Sequence, residues 1–218
     1  AERLDGKLQS AFTRINQVVH ELPIDYFALR EQYLINKAAG NREEEKLAAD
    51  QLRHLLSREP DAVLELAFDY VAIGRRQEAI DVLKDAIKNG PSGILAVDKS
   101  RIHPMLYYTL GYLYQKNGEH ERARNHFALG MKGDPAFVFP HRVEEIGVLI
   151  AAVAGNKNDA RAVYYLGNVL ASKNRDNEAL IAWREAITLD PANTIAQRNY
   201  ARALWLVSQN RDEASAQY

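Results

Sequence analysis

Residues 104–135 read PMLYYTLGYLYQKNGEHERARNHFALGMKGDP. A first apolar-periodic stretch ends at Lys116-Asn117-Gly118-Glu119, and a second runs to Gly133-Asp134-Pro135. Two helices joined by so short a break lie antiparallel. The pattern returns in residues 160–191, ARAVYYLGNVLASKNRDNEALIAWREAITLDP. Leu110, Gly111, Ala123, Phe127 and Pro135 recur as Leu166, Gly167, Ala179, Trp183 and Pro191, each 56 residues later. In the other direction, Leu66, Tyr70, Gly74, Ala79, Leu83 and Pro91 stand 44 residues before Leu110, Tyr114, Gly118, Ala123, Phe127 and Pro135. Constant spacing inside a unit, with variable gaps between units, marks an array of helical hairpins carrying loop insertions.

The rest of the chain supports an all-helical reading. Ala, Leu, Glu, Arg and Lys fill its periodic segments, and strand-like alternation is scarce. The periodicity predicts helices near 2–21, 25–39, 42–58, 60–73, 76–89, 103–116, 119–132, 139–154, 158–172, 175–189, 193–208 and 210–218. Pro60, Pro104, Pro135 and Pro191 read as boundaries, because proline suits a first helical turn but not a helix interior. The 218 residues are 47% hydrophobic and 26% charged, a globular composition. Lys+Arg 28 against Asp+Glu 29 leaves no basic excess for nucleic acid. No apolar run is long enough to span a membrane. The glycines stand singly, so no phosphate-cradling loop is expected. The lack of cysteine excludes disulfides, thiolate metal sites and a cysteine nucleophile. The first residue is Ala1, with no apolar signal core after it, which suggests a processed or excised chain. The expected location is cytoplasmic.

These units resemble the tetratricopeptide repeat (TPR), a helix–turn–helix with a 34-residue period. The family pattern asks for large residues at positions 4, 7, 11 and 24, small ones at 8, 20 and 27, and proline at 32. The unit from Pro104 supplies Tyr107, Leu110, Gly111, Tyr114, Ala123, Phe127, Gly130 and Pro135 there. The unit from Ala160 supplies Val163, Leu166, Gly167, Leu170, Ala179, Trp183, Ala186 and Pro191. The unit from Pro60 supplies Val63, Leu66, Ala67, Tyr70, Ala79, Leu83, Ala86 and Pro91. Small residues let the two helices approach, and large ones fill the space between them. Residues 26–59 form a degenerate unit in which Tyr33 and Glu45 replace the small residues. Residues 9–23 look like a lone second helix. The unit from Thr194 turns at Gln209-Asn210 and puts Tyr218 in mid-helix.

The resemblance implies an all-α, right-handed superhelix of about five hairpins with an added helix near 139–154. The expected organisation is one solenoid domain over 1–218, with units near 9–23, 26–59, 60–91, 104–135, 160–193 and 194–218 and insertions at 92–103 and 136–159. The loop carries a short apolar run, Ile94 to Val97. A looser resemblance rests on Phe139-Pro140-His141-Arg142, Glu144-Glu145 and Tyr164-Tyr165-Leu166-Gly167-Asn168. It is to the repeat tail of large bacterial proteins that carry a β-rich, glycosidase-like domain.

In such an array the first helices line a concave wall. Tyr108, Tyr112, Tyr164, Asn168, Arg198, Asn199 and Arg202 occupy inward positions there. Aromatic rings give stiff contact area, amides hold a peptide backbone and guanidinium grips a carboxylate. Asn168 and Asn199 stand where some repeats place a C-terminal carboxylate clamp, but Tyr164 replaces its lysine. The expected function is a non-catalytic protein–protein interaction scaffold that holds a peptide or partner segment in this groove. The alternative is an accessory or assembly domain of a larger carbohydrate-active enzyme. No catalytic set, cofactor or metal site is expected. His141 and Glu145 stand four apart, a spacing metal ligands can use, but read better as a helix-stabilising pair. Trp183 is expected in the core, and Trp205 on the groove or an adjacent chain. Leu204, Leu206 and Val207 would lack cover at the C-terminal end, which predicts a homodimer there unless residues 208–218 fold back over them.

Overall fold

The computed structural model describes residue 3 and residues 5–56, 59–89, 102–135 and 137–216, with the backbone alone at 89 and 208–216. Among the described residues there are eleven α-helices and no strand. The all-α helical-repeat fold expected from the sequence is the one observed. Contacts divide the chain into two compact units, Ala1–Asp98 and Lys99–Tyr218. The first holds α1 (Leu8–Glu21), α2 (Tyr26–Ala39), α3 (Arg42–Leu56), α4 (Pro60–Ala72) and α5 (Arg76–Asn89). The second holds α6 (Pro104–Lys116), α7 (His120–Lys132), α8 (Val143–Gly155), α9 (Ala160–Ser172), α10 (Asp176–Leu189) and α11 (Thr194–Ala216). The apolar run 94–97, Pro91 and Tyr218 lie outside the described residues.

One turn recurs in four hairpins. Gly40, Gly74, Gly118 and Asn174 take positive φ of 76°, 77°, 80° and 57°. The next residue's N–H then returns to the carbonyl five positions earlier: Asn41 to Asn36, Arg75 to Tyr70, Glu119 to Tyr114 and Arg175 to Leu170, at 2.7–3.0 Å. This is the Schellman stop, which satisfies the orphan carbonyls of the first helix and reverses the chain. It makes antiparallel neighbours of α2 and α3, α4 and α5, α6 and α7, and α9 and α10.

In the first unit, α1 packs on α2, and α4 packs on both α2 and α3. Its core holds Leu29, Leu64, Leu66, Tyr70, Ile80 and Leu83. The Asp25 side chain caps α2 by accepting from the Ala28 N–H at 2.8 Å. Helix α1 starts at Leu8 rather than near residue 2, because Gly6 at φ 74° interrupts the run.

In the second unit the small-residue positions act as the pattern requires. A Cβ on Gly167 would lie 2.5 Å from the Trp183 ring, and one on Gly111 would lie 2.6 Å from Phe127. Trp183, as expected, is core, at 5% exposure. The inserted helix α8 packs on α6, α7 and α9. It begins at Val143, four residues later than the sequence suggests. Val138 and Pro140 are buried while Phe137 and Phe139 point outward, the alternation of an extended strap rather than a helix. Glu145, 1% exposed, ends the strap by accepting the His141 and Arg142 N–H groups at 2.8 Å each. So His141 meets Glu145 through its backbone, not as a side-chain pair.

The last unit also departs from expectation. No turn forms at Gln209-Asn210, and α11 continues unbroken to Ala216. A second helix folds back only where it can bury an apolar face. From Ser208 to Ala216 the only apolar residues are Ala214 and Ala216, so nothing rewards reversal. The described residues 208–216 therefore extend α11 instead of folding over it.

Candidate functional site

The expected groove residues all belong to the second unit and separate into two groups. Tyr108 is fully buried, and its hydroxyl donates to Asp159, 3.1 and 3.0 Å from the two carboxylate oxygens. Its ring meets Tyr165 edge-on with centroids 6.3 Å apart. Tyr108 thus belongs to the core, not to a wall, because Asp159 at the start of α9 closes over it. Burial, with that carboxylate alongside, pushes the Tyr108 hydroxyl far above the ordinary phenol range, so it stays a donor. Burial also raises the Asp159 carboxyl, against the opposing pull of the Ala162 N–H and the Tyr108 hydroxyl. Tyr112 is half-buried. A Cβ on Gly147 of α8 would come within 3.8 Å of its hydroxyl, and the Lys116 ammonium sits 5.3 Å from its ring centroid. The inserted α8 therefore packs on α6 beside Tyr112.

The second group comes together on α9 and α11. Asn168 is the centre: its Oδ1 accepts from Trp183 Nε1 at 3.0 Å and from Asn199 Nδ2 at 3.3 Å. Arg198 donates in turn to Asn199 Oδ1 at 3.3 Å. The core tryptophan thus fixes the asparagine amide, a role its position as an apolar residue did not reveal. Tyr164 stands one turn before Asn168, half-buried, its ring 5.6 Å from Tyr165. Arg202 and Trp205 follow Arg198 at helical spacing on α11, and all three are exposed. Among the described residues neither Arg198 nor Arg202 forms an ion pair.

Asp159 and Glu145 are structural residues that the groove positions did not anticipate. Asn158-Asp159 before an apolar run is a legible cap signal, and the Asp159 side chain does accept from Ala162 N at 2.9 Å. A separate cavity of about 250 Å³ lies among Gln115, His120, Ala123, Arg124, Phe127 and Gly155, and none of the groove residues lines it. Among the described residues no three His, Asp or Glu side chains group to hold a metal, and no helix is long and apolar enough to cross a membrane.

The tetratricopeptide repeat model matches residues 106–136. That stretch takes in α6 from Leu106, its turn and α7. No curated protein matches the chain. Among solved structures, MamA is 18% identical, with 88% of this chain and 94% of that one covered and a TM-score of 0.33. YrrB, described as a TPR protein with an unusual peptide-binding site, is 20% identical over 92% of this chain and 86% of its own, with a TM-score of 0.32. The APC/C hetero-tetramer Cut9–Hcn1 is 15% identical over 93% and 47%, with a TM-score of 0.29. Residues 106–136 therefore match one tetratricopeptide repeat.

Proposed function

We propose that this chain is a non-catalytic interaction module that takes an extended peptide segment on the face of α9 and α11. The observation that carries this reading is the orientation of Asn168. Its carbonyl oxygen is used twice inside the protein, which leaves the amide NH2 as the group presented outward. A donor held in that way suits a peptide carbonyl. Tyr164 supplies ring surface beside it, and Arg198 and Arg202 supply guanidinium for an acidic side chain or a C-terminal carboxylate. The exposed apolar side chains of α11, Leu204 and Leu206 among them, support a second contact, with another copy of the chain.

The test separates packing from binding. Asn168→Asp keeps an oxygen for Trp183 and Asn199 but replaces the outward donor with an acceptor. For a peptide selected from a displayed library on the native chain, this variant folds normally and loses at least about tenfold in affinity, on the scale of one hydrogen bond left unmade. Arg198→Ala with Arg202→Ala costs about 1.5–3 kcal/mol per charge-assisted contact. Calorimetry showing unchanged affinity in both variants moves the site off this face.

A further inference from the structure

The first unit contains a guanidinium site that the peptide-binding reading does not use. Arg3, ahead of α1, reaches between helices that are distant in sequence. Its Nε and Nη2 donate to Glu31 Oε2 and Oε1 of α2 at 3.1 and 3.2 Å. Nη2 also lies 3.5 Å from Glu78 Oε1 of α5. The side chains are 14%, 18% and 19% exposed for Arg3, Glu31 and Glu78, so this is not a loose surface pair. Beneath it, the fully buried Tyr70 of α4 donates its hydroxyl to Glu31 Oε1 at 2.8 Å. The Tyr70 ring is itself held against Phe27, with centroids 5.0 Å apart. Arg30 does not compete for Glu31, since it pairs with Asp85 at 3.0 Å.

The receiving half of this contact is built without Arg3. Tyr70 fixes the Glu31 carboxylate, and α5 brings the second carboxylate to the same point. A planar fork matches that arrangement, while a point-charge ammonium does not. Two largely buried carboxylates without a cation are costly, so the site selects for an occupant. We propose that Glu31, Glu78 and Tyr70 form a receptor for an arginine side chain. Arg3 fills it as a ligand in cis, and an arginine presented by a partner chain competes for it.

Nα-acetyl-arginine methylamide is the probe, titrated into the ¹⁵N-labelled full chain. A tethered ligand acts at a millimolar effective concentration. Arg3→Ala should therefore bind the probe about tenfold or more tightly than the native chain, with shifts at the Glu31, Tyr70 and Glu78 amides. The acetyl-lysine analogue should bind more weakly, and adding Glu31→Gln to Arg3→Ala should abolish the response. Equal binding by native and Arg3→Ala chains, or a response that survives Glu31→Gln, overturns the proposal. Should Arg3→Ala fail to fold, the native chain still decides. The probe should move the Arg3 Nε–H resonance toward its free position, and an unmoved resonance at every concentration the fold tolerates overturns it equally. In that case Arg3 is only a tether.

Discussion

Asp159 shows how much one side chain does in this fold. It caps α9 through Ala162 N, receives the Tyr108 hydroxyl and is 1% exposed. Its carboxyl is raised above the ordinary 3.8 chiefly by burial. A raised acid binds more protons folded than unfolded, so its contribution to stability falls as pH climbs from about the unfolded pKa to the folded one, then stays level. Asp159→Asn keeps a cap and an acceptor but cannot ionise. Urea unfolding across pH should show the variant gaining on the native chain through the window above 3.8 and holding a constant difference beyond it. Asp159→Ala tests the opposite sense. Losing the cap costs about 1 kcal/mol, and stranding the Tyr108 hydroxyl about 1–3 kcal/mol. A loss under 1 kcal/mol would mean that neighbouring groups take over both bonds.

Among the elements, the hairpin turn decides the architecture. Gly118 at φ 80° reverses the chain between α6 and α7, and Asn174 at 57° does the same between α9 and α10. Asparagine tolerates this region and a β-branched residue does not. Gly118→Asn should therefore cost under about 1 kcal/mol and Gly118→Val about 1–2 kcal/mol or more in chemical unfolding. Equal costs would mean that the turn, not the residue, carries the strain. These turns, with the paired Gly111–Phe127 and Gly167–Trp183 contacts, were legible because each is a local requirement repeated at fixed spacing. The insertion was not. Phe139-Pro140 continues a helix-like apolar pattern, yet the buried alternation of Val138 and Pro140 makes an extended strap. Tyr108 holds a groove position by its repeat number, but only Asp159 and Tyr165, brought over it by α9, determine that it is covered. Asn168, Asn199, Arg198 and Arg202 were placed from repeat position alone. The Trp183 bond that orients Asn168 joins residues 15 apart in sequence, and no local pattern signals it.

At the scale of the whole molecule, α11 carries a run of exposed apolar side chains on the second unit. It turns Ala196 and Ala203 inward, at 0% and 9% exposure, and leaves Ile195, Leu204, Trp205 and Leu206 at 50%, 44%, 57% and 44%. Small residues inside and large ones outside reverse the usual arrangement of a surface helix. Because α11 continues unbroken to Ala216, residues 208–216 do not turn back as a second helix. A second copy offers the same apolar surface, and a two-fold contact closes on itself without leaving one exposed. Light scattering over a concentration series should show mass rising toward a dimer in the native chain. Leu206→Glu should hold the mass at the monomer value by placing a charge in the contact. The same helix carries Arg198 and Arg202, so the proposed peptide contact and the proposed self-association draw on one element. Two ligands of one surface that exclude each other must be antagonistic in both directions. Saturating peptide should then lower the dimer fraction, and Leu206→Glu should raise peptide affinity by the fraction of chain it releases. A native chain that stays monomeric at every concentration removes the contact. A dimer that binds peptide undiminished places the two events on different faces of α11.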